Sequence, residues 1–164
     1  IISLAIDRDK PILYVSSHDG YLVLFNYKTK KVVESVTVEN SPFRIQSAEA
    51  HPDGEIVFLT NNDLITLYDF KRERVFKEFA PRVSRIYNMA YDPTGHYLAV
   101  ATDKLELKIW DLKLNRVVGS IAGFFPCEFT PDGRSIIAMT KQINLGLFDV
   151  ESRKKSKVLT PVMK

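Results

Sequence analysis

Four times along this chain of 164 residues, a Ser or Thr that closes one apolar run stands nine residues before an Asn or Asp that closes the next. The pairs are Ser17 with Asn26, Thr60 with Asp69, Thr102 with Asp111 and Thr140 with Asp149. Each is preceded by a turn signal: Asp9-Lys10-Pro11, His51-Pro52-Asp53-Gly54, Asp92-Pro93-Thr94-Gly95 and Thr130-Pro131-Asp132-Gly133. A period of roughly forty residues marks a repeat architecture, in which each unit buries its apolar face against the next. The chain is expected to be one segment of four units, at about 1–40, 41–80, 81–122 and 123–164.

Within each unit the apolar pattern has a period of two, the mark of strands. In the first, Ile2, Leu4 and Ile6 alternate with Ser3 and Ala5, giving a half-buried strand, followed by runs at 12–17, 21–26 and 31–38. His18-Asp19-Gly20 between two of these runs is a hairpin signal, because Gly adopts positive φ without steric cost. The second unit reads 45–50, 56–60, 64–69 and 75–79, the third 86–91, 97–102, 105–111 and 117–121, the fourth 125–129, 135–140, 143–149 and 155–159. In the third unit Leu105, Leu107 and Ile109 alternate with Glu106 and Lys108 up to Trp110, placing charge on one face and aliphatic side chains on the other. No segment carries a stripe of helical period, so the chain is expected to be all-β.

Trp110-Asp111 ends the third run of the third unit, and Phe25-Asn26, Tyr68-Asp69 and Phe148-Asp149 stand in the same register. With the Pro-Asp-Gly or Pro-Thr-Gly turn upstream, the chain resembles the WD-repeat family of β-propellers across nearly its whole length. The resemblance implies four-stranded antiparallel blades. It also implies a polar network within each blade, for which Ser17, Asp19, Asn26, Thr60, Asp69, Thr102, Asp103, Trp110, Asp111, Thr140 and Asp149 are the candidates. The family's Gly-His pair is missing. The turn acid, Asp19 in the first unit and Asp103 in the third, becomes Asn62 in the second and Gln142 in the fourth. Blades held mainly by apolar packing are therefore expected. Propellers of this family usually close with seven or eight blades, and the chain opens on Ile1 inside regular structure. It is accordingly expected to be four blades of a larger ring, completed by further blades or by a second chain, in preference to a closed ring of four.

Composition sets the remaining bounds. No apolar stretch approaches the eighteen or so residues that span a bilayer, and the opening run meets charge at Asp7, unlike a signal peptide. The single Cys127 fits an intracellular setting, cytoplasmic or nuclear, and is expected in the core. Metalloprotease, P-loop and nucleophile-elbow motifs are absent. His18, His51 and His96 fall in turns of separate units, where they read as solvated filler. Of the acids near the first strands, Asp7 and Asp92 read as turn residues, which leaves Glu49 and Glu128, a poor metal cage. The chain is expected to have no catalytic residues, no metal, no cofactor and no small-molecule substrate.

Two basic patterns bear on partners. Arg44 and Arg85 each lie ten residues before a turn glycine, Gly54 and Gly95, where the chain enters the first strand of its blade. Arg82, Phe43, Phe124 and Phe125 lie in matching regions, and Arg beside exposed aromatics is the composition of interface hot spots. Arg44, Arg82, Arg85 and Phe124 are the candidate partner-binding residues, against the plainer reading of inward-packed Phe and solvated Arg. Lysines and arginines also crowd the turns between third and fourth strands, at Lys28, Lys30, Lys31, Lys71, Arg72, Arg74, Lys113, Arg116, Arg153, Lys154, Lys155 and Lys157. The expected function is a noncatalytic scaffold for other proteins in a multi-subunit complex. An RNA- or phosphate-binding propeller of a ribonucleoprotein or RNA-processing complex is the alternative, and a degenerate propeller hydrolase stands third.

Overall fold

A computed structural model describes residues 3–7, 9–17, 19–37, 45–52, 56–61, 64–80 and 85–159, apart from the side chains of residues 46, 56–61, 76 and 156. The alternating runs become four antiparallel sheets, each paired in chain order. The first sheet is β1 (Ser3–Ile6), β2 (Ile12–Ser16), β3 (Tyr21–Asn26) and β4 (Lys31–Thr37), and the second is β5 (Ile45–Ala50), β6 (Ile56–Asn61), β7 (Leu64–Asp69) and β8 (Arg74–Phe79). The third is β9 (Ile86–Tyr91), β10 (Tyr97–Thr102), β11 (Leu107–Asp111) and β12 (Arg116–Ile121). The fourth is β13 (Phe124–Phe129), β14 (Ser135–Met139), β15 (Leu145–Asp149) and β16 (Lys155–Leu159). They divide into two compact units, Ile1–Ser84 and Arg85–Lys164. No helix among the described residues is long and apolar enough to cross a membrane.

Within each unit two sheets pack face to face. In the first unit β1 and β2 lie against β5, and Ala5, Tyr14, Leu22, Ile45, Ala48, Tyr68 and Phe70 share one core. In the second, β9 and β10 lie against β13 around Ala90, Ala99, Ala101, Leu107, Ile109, Cys127, Ile136, Ala138 and Phe148. Alanine recurs on the first two strands of these sheets because a small side chain lets neighbouring sheets approach, while Tyr14, Tyr68 and Phe148 fill the wider space. The Phe148 ring is seated tightly: a Cβ on Gly146 would fall 2.8 Å from it, and one on Gly123 3.4 Å.

An irregularity repeats in all four sheets. The third and fourth strands slip register at Leu24/Phe25, Leu67/Tyr68, Ile109/Trp110 and Leu147/Phe148, leaving residues 33, 76, 118 and 156 as an extra residue on the outermost strand. These are β-bulges, invisible in the hydrophobic pattern because the alternation on either side is intact.

Three expectations need correction. In β1 the buried face carries Ala5, while Leu4 and Ile6 are 56% and 64% exposed. Close approach to β5 selects the small side chains, and the Ser3 hydroxyl donates to Ala48 O at 3.0 Å. Leu105 and Ile143 lie outside their strands, in turns with φ of 56° and 61°, and are exposed. They hold the place that Gly20, with φ of 84°, holds in the first sheet. Turn geometry there overrides the apolar character that extends the alternation.

Candidate interaction surface at the start of the first strands

The candidate site is built where the third and fourth sheets begin. β9 carries an extra residue against β10, because Asn88 faces Ala101 while Ile86 faces Thr102, and the residue between is Tyr87. β13 carries two against β14, since Phe124 faces Met139 and Cys127 faces Ala138. Bulges re-aim side chains, and here they leave Tyr87 40% and Phe125 41% exposed. The two rings meet with centroids 4.9 Å apart and planes 34° apart. The Arg85 guanidinium lies 6.0 Å from the Tyr87 ring centre, within cation–π range, and Phe124 meets Phe125 edge-on at 6.1 Å.

The framework beneath is held by hydrogen bonds. Asn88 Oδ1 accepts from the Cys127 N–H at 3.2 Å and lies 3.2 Å from its Sγ, tying β9 to β13. Arg85 O accepts from Asp103 N at 3.2 Å, which pins the start of β9 to the turn after β10. Cys127 is buried, as expected of a core thiol.

Of the residues proposed to bind a partner, Arg85 and Phe124 join this cluster, whereas Arg44 and Arg82 lie outside the described residues. Phe125 faces solvent, contrary to the plainer reading that packs it inward. Tyr87 is the member sequence reasoning missed. Its signal lay in the repeat itself: it stands five residues before Asp92, as Phe125 stands five before Thr130.

The repeat-defining residues work in the turns. The carboxamide or carboxylate that closes each third strand accepts backbone N–H groups of the turn that follows. Asn26 takes Lys28 and Thr29, Asp69 takes Arg72, Asp111 takes Lys113 and Leu114, and Asp149 takes Ser152, at 2.7–3.2 Å. The fourth residue on from each, Lys30, Glu73, Asn115 and Arg153, has φ between 49° and 59°. Ser17, Thr102 and Thr140 cap the preceding hairpin, each hydroxyl accepting an N–H of the turn at 3.3 Å, from Tyr21, Lys104 and Asn144. Asp19 and Asp103 lie within those hairpins, Trp110 is buried, and the side chain of Thr60 lies outside the described residues, as do Asn62 and His18.

His96 is not filler. It stacks on Tyr97 at 4.3 Å, and its Nε2 lies 3.2 Å from Asp111 Oδ1, joining two turns of the third sheet. Burial acts to raise the pKa of Asp111, but the Leu114 N–H, the charge of His96 and the Lys113 N–H outweigh it and hold the carboxyl below its ordinary value. Asp69 is likewise held low against its burial, by the side chain and N–H of Arg72. Asp132 is lowered by the Thr130 hydroxyl and the Arg134 N–H, and Asp149 by Ser152.

Asp7 and Asp92 are turn residues, as expected. Asp7 accepts from Asp9 N, Lys10 N and the Tyr14 hydroxyl, and Asp92 from Thr94 N and Tyr97 N. Among the described residues no group of three His, Cys, Asp or Glu side chains could hold a metal ion. Turn hydrogen bonds engage Asp7 and Asp92, while the rings of Tyr87 and Phe125 stay open to solvent.

No family model matches the chain. It is 27% identical over 110 residues to human WD repeat-containing protein 36, covering 66% of this chain and 12% of that one. It is 23% identical over 137 residues to the U3 small nucleolar RNA-associated protein 21 homolog of Schizosaccharomyces pombe, covering 81% of this chain and 15% of that one. To the Protein LST8 homolog of Drosophila melanogaster it is 30% identical over 106 residues, covering 57% of this chain and 34% of that one. The matched part of the chain thus spans between 12% and 34% of the length of these relatives. A chain in the crystal structure of a mitotic checkpoint complex superposes on 98% of this one with a TM-score of 0.81, at 14% identity and over 50% of its own length.

Proposed function

We propose that this chain, a WD-repeat β-propeller segment, is a noncatalytic scaffold that holds a partner protein against the surface formed by Arg85, Tyr87, Phe125 and Phe124. The observation that carries the reading is the pair of bulges that turns two large rings outward and brings them together, with a guanidinium beside the Tyr87 ring. Such rings bury much apolar area at little entropic cost, and aromatic and Arg side chains dominate interface hot spots, where truncation costs about 2 kcal/mol or more, roughly thirtyfold in affinity. The four units read as blades of one propeller that further blades complete, within a multi-subunit complex. A relative described by its association with U3 small nucleolar RNA is compatible with that setting.

That relative and the exposed basic turns favour one second reading, in which the propeller sits on RNA. The test is affinity capture with the full-length protein, comparing wild type with a Tyr87→Ala/Phe125→Ala variant of unchanged circular dichroism. Loss of a defined set of proteins in the variant, insensitive to nuclease and to a rise in salt, supports the scaffold. Capture that both forms share, and that nuclease or salt removes, overturns it in favour of RNA.

A further inference from the structure

A groove runs between the third and fourth sheets, and its lining includes none of Arg85, Tyr87, Phe124 and Phe125. Its larger compartment holds about 650 Å³, within the roughly 300–1,000 Å³ range of ligand pockets. The floor is apolar, from Tyr97, Ile109, Val118 and Val150, and Arg134, Glu151 and Arg153 stand at the rim. A smaller compartment of about 260 Å³ continues past Lys141 and Lys155, and Arg153 lines both. Arg153 is placed by two features of the backbone. Its φ of 59° turns the chain at the end of β15, and Gly119 opposite leaves a notch, where a Cβ would fall 2.3 Å from Arg153 Nε.

We propose that this groove is a second docking site, for an extended acidic segment of a partner protein. The segment sets a large aliphatic or aromatic side chain on the floor and carboxylates against Arg153 and Lys155. The charges favour it: the two compartments bring together Arg134, Lys141, Arg153 and Lys155 against Asp149 and Glu151, Asp149 is already engaged by the Ser152 N–H, and of the four cations Arg134 has the Asp132 carboxylate beside it. Lys141, Arg153 and Lys155 have no ion-pair partner among the described residues. An occupant reaching both compartments must pass Arg153, which selects a thin extended chain over a compact molecule. Nucleic acid is the poorer fit, because of the two aromatic rings that line the groove Phe148 is buried and Tyr97 already has a face covered by His96.

The test is fluorescence anisotropy of the full-length protein with a labelled peptide of alternating Glu and Leu, beside Lys–Leu and Glu–Ser counterparts. The Glu–Leu peptide should bind about tenfold or more tightly than either, an advantage lost in Arg153→Glu and kept in Tyr87→Ala/Phe125→Ala. Gly119→Ala, which forces the Arg153 side chain out of its notch without removing the charge, should weaken binding several-fold, and serves if Arg153→Glu misfolds. Equal binding of Glu–Leu and Glu–Ser would overturn the apolar floor as a site, and indifference to both groove variants would overturn the groove. Preference for an oligouridylate probe over the peptide, lost in Arg153→Glu, would assign the groove to nucleic acid instead.

Discussion

Ile143 should be more stable as Asn. It is β-branched, 75% exposed, and holds φ of 61° in a turn closed by Thr140 N to Asn144 O at 2.8 Å. An L-residue in the left-handed region costs about 1–2 kcal/mol, most of which Asn avoids because its side chain bonds locally. Replacement forfeits at most about a quarter of the roughly 2 kcal/mol of a fully buried Ile, near 0.5 kcal/mol. The balance is a gain of about 0.5–1.5 kcal/mol, which at a urea slope of about 2 kcal/mol/M moves the midpoint up by roughly 0.25–0.75 M. Trp110, the single tryptophan, is buried in the same unit and reports the transition by fluorescence. Leu105, at φ of 56° but only 42% exposed, is the built-in comparison. More burial is lost there, so Leu105→Asn should come out near zero. A midpoint that falls for Ile143→Asn, or the reverse order of the two variants, would show that the turns hold no such strain.

Gly146→Ala should lower stability by about 1–3 kcal/mol in the same urea assay, because its Cβ would meet the Phe148 ring at 2.8 Å and Thr140 Cγ2 at 2.9 Å. Asp111→Ala, which strips two turn N–H groups of their acceptor, should cost about 1–3 kcal/mol. Asp111→Asn should cost less, since Asn26 does the same work in the first sheet. Asp69, Asp111, Asp132 and Asp149 all have lowered pKa values when folded, so their stabilisation is complete above the ordinary aspartate value of about 3.9 and is lost as pH falls through the folded values. A urea series from neutral to pH 2 should show the decline set in near pH 4, less steeply in Asp111→Asn; an unchanged slope would remove Asp111 from the account.

The fold was legible because period-two alternation and turn residues agree in every unit, and a misread end of one strand does not disturb its partners. Leu105 and Ile143 were misplaced because apolarity alone cannot distinguish a strand end from a turn whose cost in φ is borne elsewhere. In β1, Leu4 and Ile6 face outward because tight sheet packing ranks size above hydrophobicity at Ala5. Register alone brings Arg85 and Phe124 to the start of their first strands, where the ring cluster lies. Tyr87 is missed, since its exposure depends on one extra residue in β9, and a bulge leaves no mark in composition. His96 reads as solvated filler because it falls in a turn, although the turn after Gly95 brings it to Asp111.

Four outermost strands, β4, β8, β12 and β16, each leave one side of their backbone unpaired within their sheets. A straight edge of that kind, carrying Val32 and Val33 in β4 or Val117 in β12 open to solvent, would be a template for strands of other molecules. The extra residue at positions 33, 76, 118 and 156 breaks each template at the same point and adds local twist, which works against two such edges pairing in register. The bulge therefore bears on contacts between molecules as well as on the sheet: at each free edge it interrupts the regular ladder that an added strand would need.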